Sequence, residues 1–478
     1  MSNTMMGDRV TSADLTSLAA ATVVTILVMF GSRLIQDGDP YWHIAAGRWI
    51  LEHGYVPTTD PFSYTFEGRP WVAHEWLSEV LMALAYDAGG IAALRALFGV
   101  AAGVSVLLIG QMLFRSAPFG IAAMMLLFPA AAVIEGVARP QFLVLPLLIA
   151  WFGEIMRARE NQEPPRIVVT IPIFVLWANL HGSFVLGLAL LAPFALEAVV
   201  EAHDRRTQPL ARWSLVAAVA LAAAVMTPHG FHGLLFPFQL MSLESLSRIR
   251  EWSSANFTQL NMLLISILAG VFVGLLRGVR VPPIRLLVLV GLLFQTLQHQ
   301  RYTVLLIAIG TILLAKPLAE AIGGLVHPEP RRALAVSLAA LVIFAPIATA
   351  RALIPVPIEN GLFTPTAALQ AVSPELMRQP VLNEYGLGGY LIFRGIRPYI
   401  DGRTDLYGDA FVNEWFKANE PDLETLRTIL DRHKIAWTIL FVFDPTVDLL
   451  DTLPGWKRIY QDRFAVVHGR EPALSQAP

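Results

Sequence analysis

Long apolar runs separated by short polar stretches make up the first three quarters of the chain. Runs near the roughly 20 residues that cross a bilayer occupy 13–35, 91–114, 118–135, 140–156, 167–180, 183–200, 212–227, 259–276, 284–297, 302–315 and 333–350. The pattern predicts about eleven transmembrane helices. The first run continues to Ile35 with no small-residue cleavage motif, so it reads as a retained signal anchor. The division of 167–200 at Asn179–Ser183 matters most. With it, four basic loops share one side: Arg157, Arg159 and Arg166; Arg205, Arg206 and Arg212; Arg277, Arg280 and Arg285; and Lys316, Arg331 and Arg332. The positive-inside rule assigns that side, and the N-terminus, to the cytoplasm. The C-terminus then lies outside a cytoplasmic (inner) membrane.

After Ala352 the pattern changes. "GGYLIF" (Gly388 to Phe393), "AWTILFVF" (Ala436 to Phe443) and "FAVVHG" (Phe464 to Gly469) read as strands. Leu423, Leu426, Ile429 and Leu430 have a helical period opened by Asp422. The expected fold is a mainly α-helical polytopic membrane protein with a small C-terminal α/β domain. Residues 1–351 form the membrane part, with interfacial helices in a first outer loop, 36–90. Residues 352–478 form the extracytoplasmic domain.

Composition sharpens this reading. Of 478 residues, 55% are hydrophobic and 15% charged, against about 25% charged in soluble domains; mean hydropathy is +0.56. A net charge of −2 offers nothing to nucleic acid, and the absence of cysteine excludes disulfides, thiol catalysis and Cys-ligated metal.

The unusual polar residues all fall on the predicted outer face: Asp37 to Gly90, "EGVARPQ" (Glu135 to Gln141), "NLHGS" (Asn179 to Ser183), "TPHGFHG" (Thr227 to Gly233) and "QHQRY" (Gln298 to Tyr302). Polar groups at membrane depth are costly and mark cavities or partners, so the distribution points to an active site at the outer boundary. Asp39, before Pro40, suits either a helix cap or a general base. Asp37 reads as a second cap or a metal ligand. His43 is either an interfacial contact or a site residue. His74 and Glu75 point about 100° apart on a helix, so one of them faces the cavity or both open a solvated helix. Arg139 beside Pro140 either snorkels or binds phosphate. His181 sits at a helix break with Gly182, the kind of break that lines cavities. His299 and Arg301 belong to the same face, with His229 and His232 as weaker candidates. Asp401, Arg403 and Asp405 in "IDGRTDLYGD" read as a turn that pins the domain, or as a cation or acceptor contact. No zincin, Walker, Rossmann or nucleophile-elbow motif is present. The outer acids and histidines could ligate Mg2+ or Mn2+, but no spacing specifies a metal.

An acidic loop leading into "GRWILEHG" (Gly47 to Gly54) resembles the first outer loop of the GT-C glycosyltransferases, membrane enzymes that use lipid-phosphate sugars. Aligned on that helix, Asp39 takes the place of the signature aspartate, Pro40 that of the following glutamate and His43 that of the tyrosine. "VPTTDPFSYT" (Val56 to Thr65) resembles the continuation of the loop. The whole chain resembles a bacterial group of GT-C-like proteins without assigned function, through "HEWL" (His74 to Leu77), "RPQ" (Arg139 to Gln141), "NLHG" (Asn179 to Gly182), "QHQRY" and "YIDGRTDLYGD" (Tyr399 to Asp409). The resemblance implies an inverting transferase with a polyprenyl-phosphate-linked sugar donor and a glycan, lipid or protein acceptor. Asp39 would be the base, and Arg139, His181, His299 and Arg301 would contact the donor phosphate. The competing readings are a transporter or flippase of lipid-linked glycans, which favours pseudo-symmetric halves and midplane breaks, and a non-catalytic scaffold with a glycan-binding outer domain.

Overall fold

The computed structural model describes the backbone of residues 2–31, 33–202, 206–323, 330–420 and 422–471. Arg205, the side chains of Arg331 and Arg332, and the last residues to Pro478 lie outside the described residues.

Helices follow the apolar runs: Ser2–Phe30, Trp76–Ser116, Phe119–Ile134, Leu145–Glu160, Ile167–Leu180, Phe184–Glu201, Thr207–Ala224, Met262–Arg277, Pro283–Gln298, Thr303–Ile322 and Pro330–Leu353. Among the described residues, Trp76–Ser116, Phe184–Glu201 and Gln300–Ile322 are long and apolar enough to cross a membrane by length and composition. Others, such as Phe119–Ile134 and Met262–Arg277, are apolar but shorter. The predicted break is present: Ile167–Leu180 stops at His181, whose backbone is extended, and the next helix begins at Phe184. Trp76–Ser116 turns at Gly89–Gly90, where Gly90 adopts φ 61°. The segment before this turn is a separate helix, and the segment after it is the predicted run from 91.

The basic loops gather at one end of the bundle. Glu197 accepts from both Arg159 and Arg285, and Glu154 from both Arg157 and Arg166. The polar segments around Asp39, His74, Arg139, His181 and Arg301 lie at the other end, beside the C-terminal domain.

That domain carries a four-stranded sheet in the order β1-β2-β4-β3: β1 Val381–Asn383, β2 Trp437–Phe441, β3 Trp456–Gln461 and β4 Ala465–Arg470. β1 runs parallel to β2, and the other pairs are antiparallel. One sequence expectation fails here, and one strand was not anticipated. Gly388–Phe393 is a short helix and not a strand. It is buried along nearly its whole length, so its apolar run carries no periodicity, and a short run of that kind cannot be told as helix or strand by periodicity. β3 went unread because it is a partly exposed edge strand containing Lys457 and Arg458.

The loop 36–90 packs against the C-terminal domain. Trp42, Ala46, Trp71 and Ala73 share one core with Ile400, Tyr407, Val412 and Trp415 of the C-terminal domain. Trp42 is therefore buried between loop and domain. Arg403 fastens the two: fully buried, it pairs with Asp401 at 2.7 Å and with Asp60 of the loop at 2.6 Å.

Candidate active site

Helix Asp39–His53 forms one side of the site. Pro40 sits in its first turn, where a missing N–H costs nothing, and Gly54 ends it in the left-handed conformation. Asp39 is the first helical residue; the capping position belongs to Gly38, so Asp39 is not the cap. Its Oδ1 accepts from Trp42 Nε1 at 3.3 Å. The C-terminal domain comes down directly on this point. A Cβ on Gly402 would collide with Asp39 Oδ1, and one on Gly38 with the carbonyl of Gly386. Only glycine permits that approach, which explains the "DGR" turn better than cation binding does.

Charge is concentrated around Asp39. Arg139 caps the short helix Pro140–Leu143 and reaches Asp37 Oδ2 at 2.6 Å and Asp39 Oδ2 at 2.9 Å through Nη2, while its Nη1 binds Glu251. Arg301 is held more loosely: it lies 3.4 Å from Glu251, donates to Gln141 Oε1 at 3.2 Å and stacks on Trp252 at 4.2 Å. Two guanidinium groups thus face three carboxylates. Burial pushes the Asp39 carboxyl up to about 7; Arg139 pulls it down, and Asp37 and Glu251 push it further up. Burial also works against the Glu251 charge, but Arg139 and Arg301 outweigh it and hold that carboxyl below its usual value.

A second cluster adjoins the first. Glu75 lies 3.2 Å from His181 Nε2, 3.6 Å from His74 Nε2 and 3.8 Å from His43 Nε2. Ser183 N–H donates to His181 Nδ1 at 2.9 Å. The neutral ring therefore carries its proton on Nε2, facing Glu75. Burial lowers His43 and His181 well below the ordinary imidazole value and takes His74 to about 4. Burial, with Glu79 adding to it, raises Glu75 well above the carboxylate range.

Both clusters open into one cavity of about 190 Å³. Its far wall is apolar: Pro237, Leu240 and Met241 from helix Gly230–Met241, then Leu246 and Ile249. Tyr385, Gly402, Thr404 and Asp405 of the C-terminal domain close it from above.

The fold thus gathers Asp39, His43, His74, Glu75, Arg139, His181 and Arg301 around one space. Asp37 stands behind Arg139, and its other oxygen accepts from Asp39 N–H. His299 is turned away, bonded to the carbonyl of Trp252. His229 bonds the carbonyl of Ala73, and neither it nor the exposed His232 lines the cavity. Asp401 and Arg403 are spent on the buried loop–domain tie, while their neighbour Asp405 does reach the cavity. Sequence reasoning missed Glu251, Trp252 and Tyr385, which belong to no motif. Between Asp37 and Asp39, the acids considered for Mg2+ or Mn2+, lies the guanidinium of Arg139. Among the described residues, no three His, Asp or Glu side chains converge with metal-holding geometry.

No protein-family model matches the sequence, and no curated protein does. Solved structures do match. ArnT from Cupriavidus metallidurans, crystallised with undecaprenyl phosphate, aligns over 95% of this chain and 97% of its own at 12% identity, with a TM-score of 0.54. The chain has the GT-C fold. The Archaeoglobus fulgidus oligosaccharyltransferase AglB, in complex with an inhibitory peptide and a dolichol-phosphate, aligns over 90% of this chain and 69% of its own, at 12% identity and a TM-score of 0.48. At such identities the likeness concerns architecture. In that architecture, the cavity beneath the C-terminal domain is built from the helix-end loops and the first loop.

Proposed function

We propose that this protein transfers a glycosyl group from a polyprenyl-phosphate donor to an acceptor hydroxyl on a glycan, lipid or protein, at the outer face of the cytoplasmic membrane and with inversion. The observation that carries the reading is the placement of Asp39 and Arg301 on one cavity, at the end of an apolar bundle, beside an apolar helix wall. A polar sugar phosphate and an isoprenoid tail need those two environments side by side. The same fold in ArnT, crystallised with undecaprenyl phosphate, supports a lipid-phosphate ligand.

The chemistry follows from the charges. The acceptor oxygen attacks the anomeric carbon and loses its proton to the Asp39 carboxylate. The bond from that carbon to the phosphate oxygen breaks, and the departing phosphate takes the electron pair. Arg301 is the cation for this anion, since its present partners are a carboxylate at 3.4 Å and a neutral amide. Arg139, surrounded by Asp37, Asp39 and Glu251, serves to fix Asp39 and supplies the phosphate only by giving up one of them. The buried His43, His74 and His181, neutral by the shifts above, line the space beside the sugar.

The basic end of the bundle lies in the cytoplasm on this reading, and the C-terminal domain lies outside. Polarity gathered at one end, beneath a folded domain, argues against a transporter with a midplane site. The test is incubation of the purified protein in detergent with radiolabelled polyprenyl-phosphate hexose and pentose donors. Release of polyprenyl phosphate matched by labelled acceptor supports transfer. Lipid binding without turnover of any donor contradicts it.

A further inference from the structure

His43, His74, Glu75 and His181 line the cavity but take no part in the charges that serve Asp39 and the phosphate. They come from three places in the chain. His43 is on helix Asp39–His53, His74 and Glu75 precede helix Trp76–Ser116, and His181 sits in the break before Phe184. Glu75 is the centre, 3.2 Å from His181 Nε2, 3.6 Å from His74 Nε2 and 3.8 Å from His43 Nε2. The last two separations are longer than a hydrogen bond. Polar groups left short of partners in a buried site are costly, and a ligand that supplies the missing bonds removes the cost.

The surroundings hold these groups in place. Trp76 Nε1 donates to Asn179 Oδ1 at 2.8 Å, and Ser78 Oγ donates to the carbonyl of Leu180 at 2.7 Å. The helix start beside Glu75 is thereby stitched to the break that carries His181. The Trp42 ring lies 3.6 Å from the His43 ring, and Phe236 lies 4.5 Å from that of His74. Side chains braced in this way form a preorganised recognition site. Its chemistry selects the ligand. Burial holds the three imidazoles below their ordinary value, so the rings are neutral. A neutral imidazole carries one donor and one acceptor nitrogen, and sugar hydroxyls both donate and accept. Arg139 is taken by Asp37, Asp39 and Glu251, and Arg301 faces Glu251 and Gln141. A sugar with its own carboxylate would add a fifth acid to a cavity already lined by Asp39, Glu75, Glu251 and Asp405, and crowded like charges in a buried site repel. The cavity, about 190 Å³, is smaller than the roughly 300 Å³ at which sites for drug-sized ligands begin, which suits one sugar ring.

We propose, on the lipid-donor reading above, that His43, His74, Glu75 and His181 form the subsite for the donor's sugar, taking a single neutral sugar through its hydroxyls and rejecting an acidic one. The test is native mass spectrometry of the full-length protein, titrated with undecaprenyl phosphate alone and with its glucosyl, mannosyl, arabinosyl and glucuronyl derivatives. At least one neutral derivative should bind about tenfold more tightly than both the bare lipid and the glucuronyl derivative. His43→Phe keeps a ring against Trp42, and His74→Phe keeps one against Phe236; each removes the ring nitrogens. Each should lower the ratio of neutral-derivative to bare-lipid affinity by roughly three- to tenfold, the range of one neutral hydrogen bond. His74 is the more exposed of the two, so His74→Phe decides the matter if His43→Phe does not fold. A ring with only a structural role would lower both affinities together, and a ratio that stays constant in the variants overturns the subsite. A glucuronyl derivative held as tightly as the neutral ones overturns it too. If bare undecaprenyl phosphate does not bind at all, the lipid-donor reading itself fails; if it binds and the ratio ignores both variants, the sugar subsite alone fails.

Discussion

Asp39 is held between opposing influences, and its titration reports them. Burial places its carboxyl at about 7, against the pull of Arg139. As a base it must be ionised, so kcat/KM should fall about tenfold per pH unit below that value and level off above it. A flat profile from pH 5.5 to 8.5, with the protein folded throughout, would assign the proton transfer elsewhere. The two arginines should separate in kind. Arg139→Ala leaves Asp37, Asp39 and Glu251 facing one another without their nearest cation. It should cost about 3–5 kcal/mol of stability, the scale for breaking a buried pair, read as a large drop in Tm. Arg301→Ala should leave Tm nearly unchanged and weaken binding of a donor analogue by roughly 1.5–3 kcal/mol, with lysine restoring only part because it lacks the planar fork. Equal effects of the two variants on Tm would contradict the division of labour. Most of the residues in this site were legible in the sequence, since acids, histidines and arginines at predicted helix ends stand out against an apolar chain. Glu251 was not. It sits in "SRIREWSS", an ordinary charged loop by composition, and only the fold sets it between Arg139 and Arg301.

At the scale of elements, apolar periodicity and charge located the helices and the break at His181, because lipid solvation and the positive-inside bias act on whole segments. They could not locate contacts between segments. Helix Asp39–His53 is pressed between Trp76–Ser116 and the C-terminal domain, packing that no pattern in the sequence marked. Gly47 records that closeness: a Cβ there would run into the carbonyl of Glu79. Gly47→Ala should therefore destabilise the protein by about 1–3 kcal/mol, the range for overpacking, and disturb Asp39 at the start of the same helix. Thermal melting beside a turnover assay checks this. A variant with unchanged Tm would mean that the two helices are not in contact.

For the whole molecule, the loop–domain tie at Arg403 sets how the cavity is closed. Arg403→Met strands Asp60 and Asp401 in a dry interface and should cost about 3–5 kcal/mol, visible as early proteolysis of the C-terminal domain. The change after Ala352 from long apolar helices to a sheet-bearing segment was legible from hydropathy. Their shared core was not, because Trp71 and Trp415 are far apart in sequence and meet only through the fold. On the proposed orientation, a reporter after Arg206 should behave as cytoplasmic, and one at the C-terminus as external. A cytoplasmic C-terminus would leave the cavity on the wrong side for an external acceptor.

The most direct test of the account is Asp39→Asn. Asparagine keeps the shape and the contact with Trp42 but removes the base. The variant should melt close to wild type, bind a polyprenyl-phosphate analogue nearly as tightly, and turn over a labelled donor about 10²–10⁴-fold more slowly. Transfer at the wild-type rate by a well-folded Asp39→Asn protein would contradict the account.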